Sequence, residues 1–134
     1  MTTQSISFLE HERLAKLGDY EEFLFRFSMV DTTHIGSPEE STLTTQVPVF
    51  VKISRTLQNT WSLQSSDLVK VLFEYAKRHL MEEVSRGSPV AEVRVDLNTS
   101  TASTECPYDP ARIAMDSGVN FEVEIKRNLG FRTE

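Results

Sequence analysis

Three histidines, one cysteine and twenty acidic residues are the first candidates for proton transfer, nucleophilic attack and metal ligation in this 134-residue chain. None of His11, His34 and His79 stands in an H-x-x-x-H or similar ligand spacing, so neither a metal nor another cofactor is expected. His11 lies among Glu10, Glu12 and Arg13 and reads as part of a solvated face, while His79 sits beside an apolar helical stripe. His34 is the better general base, because it follows Asp31, Thr32 and Thr33 in a polar stretch of the kind where binding residues concentrate. Cys106 stands with Tyr108 and Asp109 in ECPYDP, and its thiolate would be a nucleophile if the fold brought it to His34. The simpler reading of that motif is a turn held by Pro107 and Pro110. Asp31, Thr33, His34, Cys106, Tyr108 and Asp109 are therefore candidate binding-loop residues. Glu122 and Glu124 alternate along one strand and share a face, which suits an acid–base pair or, more simply, cross-strand ion pairs with Arg94, Lys126 and Lys52.

Composition narrows the classes further. Hydrophobic residues make up 39% and charged residues 25%, the balance of one ordinary globular domain over residues 1–134. The net charge of −6 and pI near 5.1 oppose binding to nucleic acid or anionic lipid. A lone cysteine forms no internal disulfide and fits a reducing compartment, so a cytoplasmic protein is expected. MTTQSISFLEHERL lacks the basic and apolar runs of a leader, and no window approaches a membrane span. The five glycines are isolated, which excludes a glycine-rich phosphate loop.

The elements that must position these residues follow from periodicity. Ser7-Phe8-Leu9-Glu10 matches a capping box and predicts a short N-terminal helix over 8–17, stopped by Gly18 and Asp19. Phe23, Phe25, Phe27 and Met29 alternate with Leu24, Arg26, Ser28 and Val30, the two-residue period of a strand. Residues 31–46 are rich in Thr, Ser and Glu and read as a long surface connection, after which 47–57 alternates as a second strand. Ser65-Ser66-Asp67 caps a long amphipathic helix whose stripe is Val69, Leu72, Phe73, Ala76, Leu80 and Val84, ending at Arg86-Gly87. Strands are expected over 90–97 and 119–126, separated by a second long loop. Alternation of dry and charged positions suggests an antiparallel sheet wetted on one side. The fold class is α+β, with two layers: a four-stranded antiparallel sheet on one long helix, plus the short N-terminal helix.

This element order resembles the tunnelling fold of dihydroneopterin aldolase and its relatives. THIGSPEES before PVFVKISRTL is similar to that family's I-G turn and second strand, and WSLQSSDLVKVLFEYAKRHL followed by VAEVRVDL to its last helix and third strand. The resemblance implies an oligomeric barrel binding a pterin- or purine-like heterocycle between subunits. It does not imply aldolase chemistry, because Ser65 stands where the aldolases carry a pterin-anchoring glutamate, and Asn98 and Thr99 where they carry a lysine. LFEYAKRHLMEEVSRGSP is similar to a helix of the export chaperone SecB, which implies peptide binding.

With no catalytic constellation in the spacing, the expected function is that of a non-enzymatic interaction or assembly protein. It would bind a protein partner or itself as a homo-oligomer, through an exposed sheet face and two long polar loops. A heterocycle-binding oligomer and a peptide-binding chaperone are the alternatives.

Overall fold

The computed structural model describes residues 2–34, 40–87, 89–100, 102, 104–115 and 120–125. The chain builds β1 (Thr2–Leu17), β2 (Tyr20–His34), β3 (Glu40–Ser54), α1 (Arg55–Trp61), α2 (Ser65–Ser85), β4 (Val93–Leu97), a 3-10 turn at Pro110–Arg112 and β5 (Asn120–Ile125). The class is α+β: helices cover one face of a five-stranded sheet of order β4-β3-β2-β1-β5. No helix among the described residues is long and apolar enough to cross a membrane.

The N-terminal helix expected over 8–17 is instead the second half of β1, paired with β2 from Thr2↔Thr33 to Leu17↔Tyr20. Register shifts at Phe8/Glu10 and Arg13/Ala15 leave Leu9 and Leu14 as bulge residues. Each bulge adds one position to a two-residue period, so the apolar residues fall at spacings that imitate a helix. Gly18 takes φ +63° as the first residue of the β1–β2 turn, so the expected helix stop is a hairpin turn.

Residues 31–46 are not a long connection. β2 runs to His34 and β3 begins at Glu40, in register from His34↔Glu40 to Tyr20↔Ser54. Thr32, Thr33, Thr42, Thr44 and Thr45 look polar by composition, yet they are β-branched and suit a pleated ladder. β3 stops at Ser54, whose hydroxyl accepts from the Leu57 amide at 3.1 Å and caps α1, so Leu57 belongs to a helix rather than a strand.

The sheet is mixed, not antiparallel, and it has five strands among the described residues. β4 pairs parallel with β3, from Val49↔Val93 to Ile53↔Leu97, because α1 and α2 carry the chain back across the sheet before it re-enters. Alternating burial in β4 reflects an edge strand covered on one side, and it carries no information about strand direction. The expected strand over 90–97 shortens to Val93–Leu97, and the one over 119–126 corresponds to β5.

The core lies between the inner sheet face and α2. Phe23, Phe25, Phe27, Val47, Val49, Val51 and Ile53 are fully buried, with Val93, Val95 and Leu97 beside them. Phe73 sits at the centre, its ring 4.9 Å from Phe8, 6.0 Å from Phe27 and 6.1 Å from Phe25. Each such pair adds about 0.5–1.5 kcal/mol to the burial term.

Candidate functional site

The sequence candidates fall at three places. Asp31, Thr33 and His34 lie in β2, not in a loop: Asp31 is flanked by Gln4 and Leu43, Thr33 by Thr2 and Ser41, and His34 is opposite Glu40. Their side chains lie outside the described residues. Glu122 and Glu124 are in β5 opposite Ser5 and Thr3, the set that alternates with the pair Ile6↔Phe121.

Cys106, Tyr108 and Asp109 are gathered against the flank of α2. The Cys106 thiol is half-buried and donates to the Tyr108 carbonyl at 3.2 Å. The Tyr108 ring meets Tyr75 edge-on at 5.1 Å, beneath the Arg78 guanidinium at 4.8 Å. Asp109 accepts from the Ala111 amide at 3.0 Å and caps the 3-10 turn, as the proline-bounded turn reading expects. Burial first, then the neighbouring Tyr108 and Cys106, push the Tyr75 hydroxyl up to about 12, so it stays protonated at neutral pH.

This segment lies beside Glu74 on α2. Glu74 is buried, with Lys77 Nζ at 3.1 Å and Arg78 Nε at 2.6 Å. A shallow cavity of about 500 Å³ opens here, lined by Glu74, Lys77, Arg78, Tyr108, Asp109 and Arg112. Its carboxylates are engaged, Glu74 as above and Asp109 with Arg112 at 3.8 Å, so the lining supplies structural ion pairs rather than a poised acid or base.

The other histidines are placed equally plainly. His79 lies 2.9 Å through Nδ1 from the Tyr75 carbonyl, which can only accept, so Nδ1 carries the proton. His11 is on β1 and stacks on Phe25 at 6.0 Å. Among the described residues no three His, Cys, Asp or Glu side chains gather to hold a metal ion.

The outer face of the sheet is roofed by its own cations. Arg94 lies over the Phe50 ring at 4.6 Å and Lys52 over Tyr20 at 4.5 Å, while Arg26 bridges Glu10 at 3.5 Å and Glu12 at 3.0 Å. Leu24 beneath them is only 4% exposed. Aliphatic stems and guanidinium planes thus cover apolar surface that a partner would otherwise use.

The edges of the sheet differ sharply. Among the described residues β5 pairs with β1 over Thr2–Ser7, and the remainder of that β1 edge carries two bulges together with Glu10, Glu12, Arg13 and Lys16. β4 is five residues long and presents Arg94 and Asp96, both exposed. Bulges, charges and shortness are the devices that stop a strand edge from recruiting another chain. Along β3, β4 begins only at Val49, so among the described residues Glu40 to Pro48 pair with β2 alone. Residues 41–47, STLTTQV, contain no charge and no proline, and Leu43 is 61% exposed. Sequence reasoning passed over this segment because its threonines looked like loop; their β-branching was the available signal.

Comparison with protein-family models, with curated proteins and with solved structures finds no match to this chain.

Proposed function

We propose that this protein is a non-catalytic interaction and assembly module that accepts an extended strand along the edge of β3 that is left unpaired among the described residues. The observation that carries the reading is the contrast among edges: the rest of β1 and β4 bear protective bulges or charges, and 41–47 bear none. An unpaired edge offers alternating amides and carbonyls, whose chemical complement is another strand. The outer face supports a smaller role, since cationic side chains already cover Phe50 and Tyr20. The ion-paired lining of the cavity beside α2 favours structure over catalysis.

Selection of extended peptides from a display library, followed by amide chemical-shift mapping, tests this function. Binders rich in Thr, Val and Ile that shift residues 41–47 are expected. Binders that map consistently to the outer face or to the cavity beside α2 would remove the edge reading.

A further inference from the structure

We infer that the strand added at this edge is the same segment of a second copy, paired antiparallel about a two-fold axis at Leu43. The inference rests on the edge reading above and names its occupant.

Charge comes first. Two copies each carrying −6 repel, and the approach that brings fewest like charges together is through an uncharged segment. Residues 41–47 provide one. With Leu43 opposite itself, Thr42 faces Thr44, Ser41 faces Thr45 and Glu40 faces Gln46, so no carboxylate meets a carboxylate. Like charges directly opposite would destabilise a ladder, and this register has none.

Leu43 fixes the register. Leu14 and Leu43 are the large apolar residues left exposed among those described, and Leu43 is the more exposed at 61%. The pairs Asp31↔Leu43, Met29↔Thr45 and Phe27↔Val47 put Leu43 on the helix-covered side of the sheet, in line with the core positions. A two-fold axis at Leu43 sets the two leucines side by side on that face, at the close spacing of opposed residues.

The length of free edge also fits. The ladder Glu40–Gln46 ends just before Pro48, which lacks an amide proton, and Val49, where β4 takes over the edge. An isologous contact of this kind uses the same edge on both copies and closes as a dimer. The charged, bulged remainder of the β1 edge, the short charged β4 and the six-residue β5, which carries Glu122 and Glu124, are poor second sites for growth.

Sedimentation velocity over a concentration series tests the inference on the intact chain. The wild type is expected to dimerise, and Leu43→Lys, which sets two ammonium groups opposite each other, to weaken the dimer at least about tenfold. Leu14→Lys, on the guarded edge, is expected to leave it unchanged. Because Leu43 is exposed, circular dichroism should show the same fold in both variants. In a Cys106→Ser background, Leu43→Cys is expected to oxidise to a covalent dimer faster than Gln46→Cys. A monomeric wild type, a dimer lost in Leu14→Lys but kept in Leu43→Lys, or faster cross-linking through Gln46→Cys would overturn the inference. If selected peptides still map to 41–47 while the wild type stays monomeric, the edge reading stands and only the second copy is ruled out.

Discussion

Arg13 and Glu21 are joined across the inner face of the β1–β2 hairpin, Arg13 Nε lying 2.7 Å from Oε2 of a carboxylate whose side chain is only 7% exposed. The bulge at Leu14 makes this meeting possible, since it leaves Arg13 opposite Phe23 on the core side, its guanidinium 5.1 Å from that ring. The same guanidinium donates to Ser65 Oγ at 3.0 Å, and Gln58 donates to Glu21 Oε1 at 3.2 Å. The Nε–Oε2 contact lies off the line of a well-formed hydrogen bond and is mainly ionic. Four elements, β1, β2, α1 and α2, are thereby tied at one point.

Removing Arg13 strands the Glu21 carboxylate. Arg13→Ala is expected to lower stability by about 1–3 kcal/mol, less than for a fully buried pair because Arg13 is 41% exposed. Replacing both residues, Arg13→Met with Glu21→Leu, is expected to recover most of the loss. Urea denaturation of the wild type, Arg13→Ala and the double variant measures it, and a double variant no better than Arg13→Ala would refute the assignment.

Gly18 and Ser62 both hold positive φ, with opposite chemistry. Gly18 has φ +63° and nothing within 4 Å of where a Cβ would stand, so Gly18→Ala is expected to cost about 1 kcal/mol from backbone strain alone. Ser62 holds φ +53° where it ends α1, donating its amide to the Gln58 carbonyl at 3.0 Å. Ser62→Gly is expected to raise stability by about 0.5–1 kcal/mol in the same assay.

Gln4 is buried on β1 between Asp31 and Val123, and its Oε1 has no hydrogen-bond partner among the described residues. Gln4→Met keeps the volume and removes the unsatisfied oxygen. It is expected to be neutral or stabilising by about 1 kcal/mol, whereas most buried substitutions destabilise. A clear fall in melting temperature would show that the amide is held by an interaction worth keeping.

The Tyr75 hydroxyl titrates at about 12 in the folded chain against 10.0 for an unperturbed tyrosine. Between these values the unfolded chain has lost a proton that the folded chain retains, so this group's contribution is whole below about pH 10 and declines as pH rises toward 12. Unfolding measured in steps across that window should show a steeper loss for wild type than for Tyr75→Phe. Parallel slopes would mean that burial does not hold the proton.

Dimerisation of a chain with charge −6 through a neutral segment should strengthen with salt. Raising ionic strength from about 0.01 M to about 1 M shortens the screening length from about 30 Å to about 3 Å. The dimer dissociation constant is therefore expected to fall across that range. Association that weakens with salt would point to a charge-driven contact elsewhere. Native mass spectrometry adds a separate check: a tetramer or octamer retaining a pterin- or purine-sized mass would favour heterocycle binding.

The parts legible in the sequence were those where one period ran unbroken. Phe23, Phe25, Phe27 and Met29, and the stripe from Leu72 to Val84, mark a strand and a helix without further help, and both are where periodicity places them. β1 was hidden because Leu9 and Leu14 each insert a residue, and a local pattern cannot distinguish a twice-bulged strand from a short helix. The direction of β4 depends on how two helices return the chain, a tertiary property that alternation does not encode. Of the candidate site, the turn at Pro107 and Pro110 was readable from its residues. The open edge was not, because it is defined by where β4 fails to reach.

β1 lies between β2 and β5, although β5 follows it by more than 100 residues, and this has a consequence in time. At typical synthesis rates of about 5–20 residues per second, the start of β1 emerges roughly 6–24 s before β5. Throughout that interval Thr2–Ser7 would show an edge to the surroundings, and TTQSIS carries none of the charges that guard the later half of the strand. The nascent chain is thus most prone to mispairing while it is still incomplete, and a message truncated before Asn120 would leave that exposure permanent.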